Sequence, residues 1–287
     1  MWNRKNRGIK ANLFLGKDLQ EKIREANVAV HRFEAKYYEL IHPEVYNRYE
    51  QKRINSALKM VDKLVADNHV HTKKALDVGA GTGNLTVKLL QMGYDVTAID
   101  ISAEMCKILE KKCKNYLEAK KLIVINSPIE DVNFDRDEFD LITCYSVLHH
   151  LPDYVDVIQR LCGFLKKGGV MYLDHEISPF YWKSEASNVA HLVKLVYFHS
   201  NPLLNTLYFQ IVGVNVPSID YGLSDYWHRK EHHLDHGKIK CVFEKEHFDF
   251  FKRTDYHLKF RTWILNPIFY AYKYSCKPEM SFWVAKK

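Results

Sequence analysis

Three glycines fall within five positions in "ALDVGAGTGNLTVKLL", residues 75–90, between an apolar run and a stretch of helical periodicity. Glycine reaches positive φ and carries no Cβ, so this cluster predicts a tight strand-to-helix turn whose bare backbone something approaches closely. The flanking sequence extends the pattern. "KALDVGA", "YDVTAIDIS", "KLIVINS", "FDLITCYSV" and "GVMYLDHEIS" have strand character. Between them lie the helical stretches "NLTVKLLQMG", "AEMCKILEKKCKNYLEA" and "YVDVIQRLCGFLKKGG", the last expected to close at its glycine pair. Strand and helix alternating at this spacing predict an α/β fold with a doubly wound, mostly parallel sheet.

The chain divides into four segments. Residues 1–68 read as a basic arm, free of acids until Asp18, followed by charged amphipathic helices that break at Pro43. Residues 69–178 hold the strand–helix alternation. Residues 179–230 lose it and read as an inserted cap. Ten of the 48 residues from Phe180 to Trp227 are aromatic, against 13% for the whole chain, which suits a lid with apolar walls. Residues 231–287 return to the core, with a helix from about Leu234 to His247 and the strands "FDFFKRTDYHLKF" and "SFWVAKK". "NVAHLVKLVYF" and "RTWILNPIFYAYKYSCKP" are apolar enough either to be buried under the cap or to touch a membrane peripherally. No apolar run reaches the roughly 20 residues needed to span a bilayer.

Composition narrows the setting. Six cysteines without a CxxC pair, and no signal peptide, imply free thiols in a reducing, cytoplasmic compartment. The net charge of +7 is spread along the chain, which reads as a generally basic surface facing anionic company. Nothing in the sequence sets the oligomeric state.

Two cofactor classes compete for the glycine turn. A dinucleotide fingerprint, G-x-G-x-x-G, would continue Gly79 and Gly81 with a glycine at 84, but that position is Asn84 and the third glycine is Gly83. Asp77 stands two residues before the first glycine, where it would repel a pyrophosphate and attract a cationic amino group. Asp100 ends the next strand, where an acid binds ribose hydroxyls. This D-x-G-x-G-x-G pattern with Asp100 resembles the class I S-adenosylmethionine-dependent methyltransferases. The resemblance continues through "NSPIEDVNFDRDEFDLITCYSVLHHLPD" and covers about residues 35–178, with the C-terminal strands matching more loosely.

The resemblance implies a seven-stranded Rossmann-like methyltransferase fold with S-adenosyl-L-methionine as cofactor and S-adenosyl-L-homocysteine as product. Asp77 and Gly79 would hold the methionine portion, Gly81 and Gly83 would admit it to the backbone, Asp100 would bind the ribose, and Ile101 would pack on adenine. Asn126 and Ser127 stand where the family often has Asp-Ala, at the adenine edge. Cys144 and Tyr145 would lie beside the sulfonium and adenosyl group. Tyrosines in "AKYYELIHPEVYNRYEQKRI" are either packing residues or covers over the cofactor and substrate; Tyr38 and Tyr46 are the substrate-side candidates among Tyr37, Tyr38, Tyr46 and Tyr49. Arg53 is a candidate for the cofactor carboxylate.

Methyl transfer is an in-line displacement that needs an aligned nucleophile, and a base where the nucleophile carries a proton. His149 and His150 in "SVLHHLPD" suit proton removal; in phosphoethanolamine methyltransferases a histidine matching His149 takes part in catalysis. The alternative is that this segment only caps the next helix. His175 is a third catalytic candidate, in "YLDHEIS", with Glu176 beside it as a substrate contact. In "YWHRKEHHLDHGK", His228, His232 and His236 recur every four residues and would line one face of a continuous helix. His228, Arg229 and His232 are expected on the substrate, with Asp235 as a helix cap. The stripe has the geometry a metal site uses, and the cluster Asp174, His175 and Glu176 is the other place for a divalent ion, but HEXXH is absent and no metal is assigned to either.

The expected function is methylation of an O or N atom on a small molecule, with lipid-like and glycan-precursor acceptors among the options. A nucleic-acid methyltransferase is the competing reading, but "CYSV" stands where amino-type base methyltransferases carry (D/N)PP(Y/F), no Pro-Cys nucleophile occurs, and an aromatic cap favours a closed pocket. A non-catalytic S-adenosylmethionine-binding protein is the third reading.

Overall fold

A computed structural model describes residues 16–65, 72–181, 219–229, 231–258 and 278–287. Seven strands, β1 (Lys74–Val78), β2 (Asp95–Asp100), β3 (Leu122–Asn126), β4 (Phe139–Tyr145), β5 (Leu165–Ile177), β6 (Phe250–Tyr256) and β7 (Met280–Lys286), form one sheet in the order β3-β2-β1-β4-β5-β7-β6. β7 is antiparallel to both its neighbours, and the pairs from β3 through to β5 are parallel. The chain runs outward from β1 to β3 and then returns to the other side of β1 for β4. That reversal opens a crevice beyond the carboxyl ends of β1 and β4, where doubly wound folds bind ligands.

Alternation along the strands sorts the core into two faces. Leu76, Val78, Ile142, Cys144, Met171 and Leu173 pack beneath α7 (Tyr154–Phe164) and the helix His236–Lys245. Ala75, Leu141, Tyr145, Val170 and Tyr172 pack beneath α3 (Arg48–Leu64) and α4 (Thr86–Gln91). Burial on both faces is why the parallel strands read as continuous apolar runs.

The N-terminal segment is helical as expected, with α1 (Lys17–Glu34) and α2 (Tyr38–Ile41) preceding α3. The break after α2 holds Pro43, and Asn47 then caps α3 by accepting from the Tyr49 and Glu50 amides, each at 3.0 Å. After β2 come α5 (Ala103–Lys112) and α6 (Lys114–Glu118), and the short α8 (Tyr221–Ser224) packs against α1. His236–Lys245, α9, begins after its cap Asp235, which accepts from Gly237 N at 2.8 Å.

One boundary differs from expectation. α7 stops at Phe164, and the Gly168–Gly169 pair lies inside β5, beside a register shift against β4 between Phe139 and Leu141. Gly169 is there because a Cβ would stand 2.9 Å from the Lys166 carbonyl and 3.1 Å from that of Asp140. Among the described residues no helix is long and apolar enough to cross a membrane, and five cysteines are free, four of them buried. The basic arm to residue 15, most of the cap, "NVAHLVKLVYF", Lys230, Cys276 and nearly all of "RTWILNPIFYAYKYSCKP" lie outside the described residues.

Candidate active site

The three glycines of the turn all have positive φ, but for separate reasons. A Cβ on Gly79 would strike Val147 Cγ2 at 2.3 Å, and one on Gly83 would strike Leu109 Cδ1 of α5 at 2.5 Å. A Cβ on Gly81 would meet no atom within 4 Å, because Gly81 borders a cavity. Its amide donates to Asp100 Oδ2 at 2.7 Å, while Asp100 Oδ1 accepts from Ser102 N at 2.8 Å. Burial raises the Asp100 carboxyl above the usual carboxylate range.

The cavity joins the expected cofactor residues to the expected chemistry. Val78, Gly79, Gly81, Asp100 and Ile101 line one side, Ser127 and Ile129 another, and Tyr145, Val147 and His150 a third. Asn27, His31 and Tyr38 of the N-terminal helices close it. It continues past Gly81 and Tyr145 to Tyr46, whose hydroxyl lies 3.3 Å from Thr82 Oγ1. Tyr38 and Tyr46 thus stand against the glycine turn.

Several expected contacts are corrected. Cys144 is fully buried under α7, since alternation sends it to the face opposite Tyr145. Asp77 lines the continuation of the cavity toward Tyr46, one oxygen accepting from Thr86 Oγ1 at 2.6 Å and the other from Thr143 Oγ1 at 2.8 Å. Burial pushes its carboxyl up to about 6, which suits a structural acid tying α4 to the sheet. Asn126 donates its amide to the carbonyls of Asp100 and Ile101, each at 3.0 Å, and lines an outer groove with Ser127 instead of the cavity.

Arg53 does not reach the cavity. It grips Glu50 through Nη2 at 2.5 Å and Nε at 2.9 Å, reaches Asp174 at 2.8 Å, and lies over the Tyr256 ring at 4.0 Å. Asp174 also accepts from Tyr172 and Tyr256. His175, at φ 62° on a register shift of β5 against β7, stacks on Tyr145 with ring centroids 4.9 Å apart. Its Nδ1 is 3.1 Å from the hydroxyls of both Tyr145 and Tyr256, and 3.4 Å from Glu50. Burial would raise the Glu50 carboxyl, but hydrogen bonds from His175 and Arg53 outweigh it and hold it at about 2. His175 therefore backs the Tyr145 wall and does not line the cavity.

The remaining histidines assemble differently from the helical stripe. Residues 229 and 231–234 are not helical; His228 and His233 pair as an isolated bridge. His232 stacks on Tyr226, Arg229 lies over Tyr226 beside Gly222, and His236 enters the core, donating Nε2–H to Ile177 O and accepting from Trp283 Nε1. Only His228 of the three joins the site, with its ring 4.9 Å from that of His149. His149 Nδ1 meets Glu176 Oε2 at 2.8 Å, and Glu176 Oε1 accepts from the amides of Val147 and Leu148. Glu176 is thereby engaged within the protein, not offered to a substrate. Burial drives His149 and His228 down to about 4 and raises Glu176 to about 7. Burial thus keeps the His149 imidazole uncharged, with Nδ1 engaged by Glu176.

Residues not singled out by sequence complete the frame. Asn27, buried in α1, donates to the His150 carbonyl at 2.9 Å and accepts from Ser224 Oγ at 2.9 Å, while Ser224 O accepts from His150 Nδ1 at 2.8 Å. The signals were present: Asn27 and Glu50 each stand four residues from an isoleucine of the apolar stripe, Ile23 and Ile54.

Residues 76–173 match the profile of the family described as methyltransferase domain. The matched stretch holds both the glycine turn and Asp100. Among curated proteins it is 34% identical over 112 residues to the ubiquinone biosynthesis O-methyltransferase of Haemophilus ducreyi, over 37% of this chain and 46% of that protein. The matched region thus spans about half the length of that relative. Among solved structures it is similar to an S-adenosylmethionine-dependent methyltransferase from Mesorhizobium loti (14% identity, 80% of this chain and 96% of that one, TM-score 0.53). A second similar structure is the magnesium protoporphyrin IX methyltransferase of Synechocystis PCC 6803 (14% identity, 91% and 99%, TM-score 0.51). At these identities the structural likeness establishes the fold.

Proposed function

We propose that this protein transfers a methyl group from S-adenosylmethionine to an oxygen or nitrogen of a small-molecule acceptor. The observation that carries the reading is one cavity in which the Gly81 backbone and Asp100 lie together with Tyr145 and His150. The residues suit the cofactor: the open side of Gly81 admits backbone contact, Asp100 offers its carboxylate to a ribose diol, and Ile101 and Ile129 give apolar walls for adenine. Bound there, the cofactor supplies an electrophilic methyl carbon. Tyr145 presents its ring on the cavity wall, held by its hydroxyl bond to Glu50 at 3.0 Å, and suits a cationic sulfonium. The acceptor side falls to the imidazole of His150 in the same cavity, which suits a group that must lose a proton. The helical roof over the cavity supports a small acceptor over an open nucleic-acid groove, and the free thiols fit a reducing cytoplasmic setting.

The test is transfer of labelled methyl from S-adenosylmethionine into metabolite, lipid and RNA fractions. Label in the metabolite or lipid fraction, abolished by Asp100→Ala, is expected. Label in RNA alone would overturn the acceptor class, and cofactor binding with no label anywhere would favour a non-catalytic binding protein.

A further inference from the structure

We infer that His149, His150 and Asp225 form a binding site for one divalent transition-metal ion beside the cavity that His150 lines. One ligand atom from each residue lies within 4.8 Å of the others. Donors around a single zinc ion, each about 2 Å from it, stand roughly 3–4 Å apart, so closing the site takes about an ångström of side-chain movement. The spacing arises from fold and not from sequence period: consecutive histidines on the short turn after β4 meet the residue that follows α8.

The supporting shell is already in place. Metal-bound histidines commonly give their second nitrogen to a carboxylate or carbonyl, which fixes the ring and its tautomer. His149 Nδ1 is held by Glu176 Oε2 at 2.8 Å, leaving Nε2 for a ligand bond, while His150 Nδ1 lies 2.8 Å from Ser224 O and 3.5 Å from Asp225 Oδ1. Glu176 is anchored in turn by the Val147 and Leu148 amides, and Ser224 by Asn27. Asp225, with its side chain 48% exposed, supplies a carboxylate and a route of entry, and His228 stands beside the group as a further nitrogen donor.

Two imidazoles and one carboxylate select first-row transition ions; magnesium and calcium prefer shells of oxygen. His150 also lines the cavity that holds Asp100, so an ion here would take its remaining ligand from the acceptor. The inference rests on the methyltransferase reading above and refines the acceptor to one with an oxygen or nitrogen able to coordinate the ion. The stripe His228, His232 and His236, whose spacing suggests a metal face in the sequence, is not the site.

The full-length chain, stripped with a chelator and dialysed, is titrated with zinc by calorimetry and with cobalt by visible absorption. One equivalent of zinc is expected, with cobalt ligand-field bands and no thiolate charge-transfer band. Asp225→Asn and His150→Gln should each weaken uptake about tenfold or more, while His232→Ala and Cys241→Ser leave it unchanged. Circular dichroism confirms the fold of each variant. No stoichiometric uptake, or equal affinity in Asp225→Asn and His150→Gln, overturns the site. Uptake is read without cofactor or acceptor, so its failure leaves the methyltransferase reading standing. Asp100→Ala should lose cofactor and keep metal.

Discussion

The Gly81 amide donates to Asp100 Oδ2 at 2.7 Å, locking the glycine turn to the end of β2. Residues 19 apart in sequence thereby present one backbone segment and one carboxylate to the same cavity. Each Asp100 oxygen accepts one such bond, from Gly81 or Ser102, and a carboxylate has room for about four. Capacity therefore remains for a ribose diol.

The glycines separate binding from stability. Alanine at Gly81 must hold φ 54°, a strain of about 1–2 kcal/mol, and its methyl enters the cavity. Alanine at Gly83 must hold φ 94° and also presses on Leu109, an added overpacking cost of about 1–3 kcal/mol. Gly81→Ala should lose mainly cofactor affinity, and Gly83→Ala mainly stability, by calorimetric titration and urea denaturation. The reverse order would mean that the cavity beside Gly81 is not the cofactor site.

Glu176 accepts from two backbone amides and from His149. Glu176→Ala should cost about 3 kcal/mol, because buried donors are left without partners. Glu176→Gln, which keeps an acceptor oxygen, should cost less than half of that. A side chain that touched only substrate would show unchanged denaturation midpoints in both variants.

Arg53 binds Glu50 and Asp174 inside the protein. Arg53→Met strands two buried carboxylates and should destabilise by about 3–5 kcal/mol. Arg53→Lys should recover only part, since an ammonium cannot reproduce the guanidinium fork. Full stability in Arg53→Met with lost cofactor affinity would instead return Arg53 to the cofactor carboxylate.

His42 carries a pH signature. Burial alone would lower it, but hydrogen bonds to Glu34 and Glu44 outweigh that and hold it at about 10. A raised histidine contributes stability that is complete below its ordinary value near 6.5 and disappears as pH rises through 10. The stability difference between the wild type and His42→Gln should therefore be largest near pH 6 and shrink toward pH 10. A difference that grows with pH would contradict a charged His42.

The sheet was legible because its parallel strands are buried on both faces and recur at βαβ spacing, and the cofactor end was legible because the glycine turn is local. The misses have physical causes. Cys144 and Tyr145 are neighbours, and only the phase of β4 decides that the tyrosine faces the cavity. His175 and Glu176 turned inward because β5 shifts register there. His228 and His236 were separated by a non-helical stretch that four-residue spacing does not reveal. Asn27 and Glu50 were visible as polar breaks in apolar stripes, but the partners that tie them to the site, His150 and Tyr145, lie more than 90 residues away.

The central claim is that the Gly81–Asp100 cavity binds S-adenosylmethionine. The direct measurement is calorimetric titration of wild type and Asp100→Ala with S-adenosylmethionine, S-adenosylhomocysteine and, in parallel, NAD. Binding of the first two, weakened about tenfold or more in the variant, is the expected result, a loss of at least about 1.4 kcal/mol. Binding of NAD alone, or equal affinity in the variant, would contradict it.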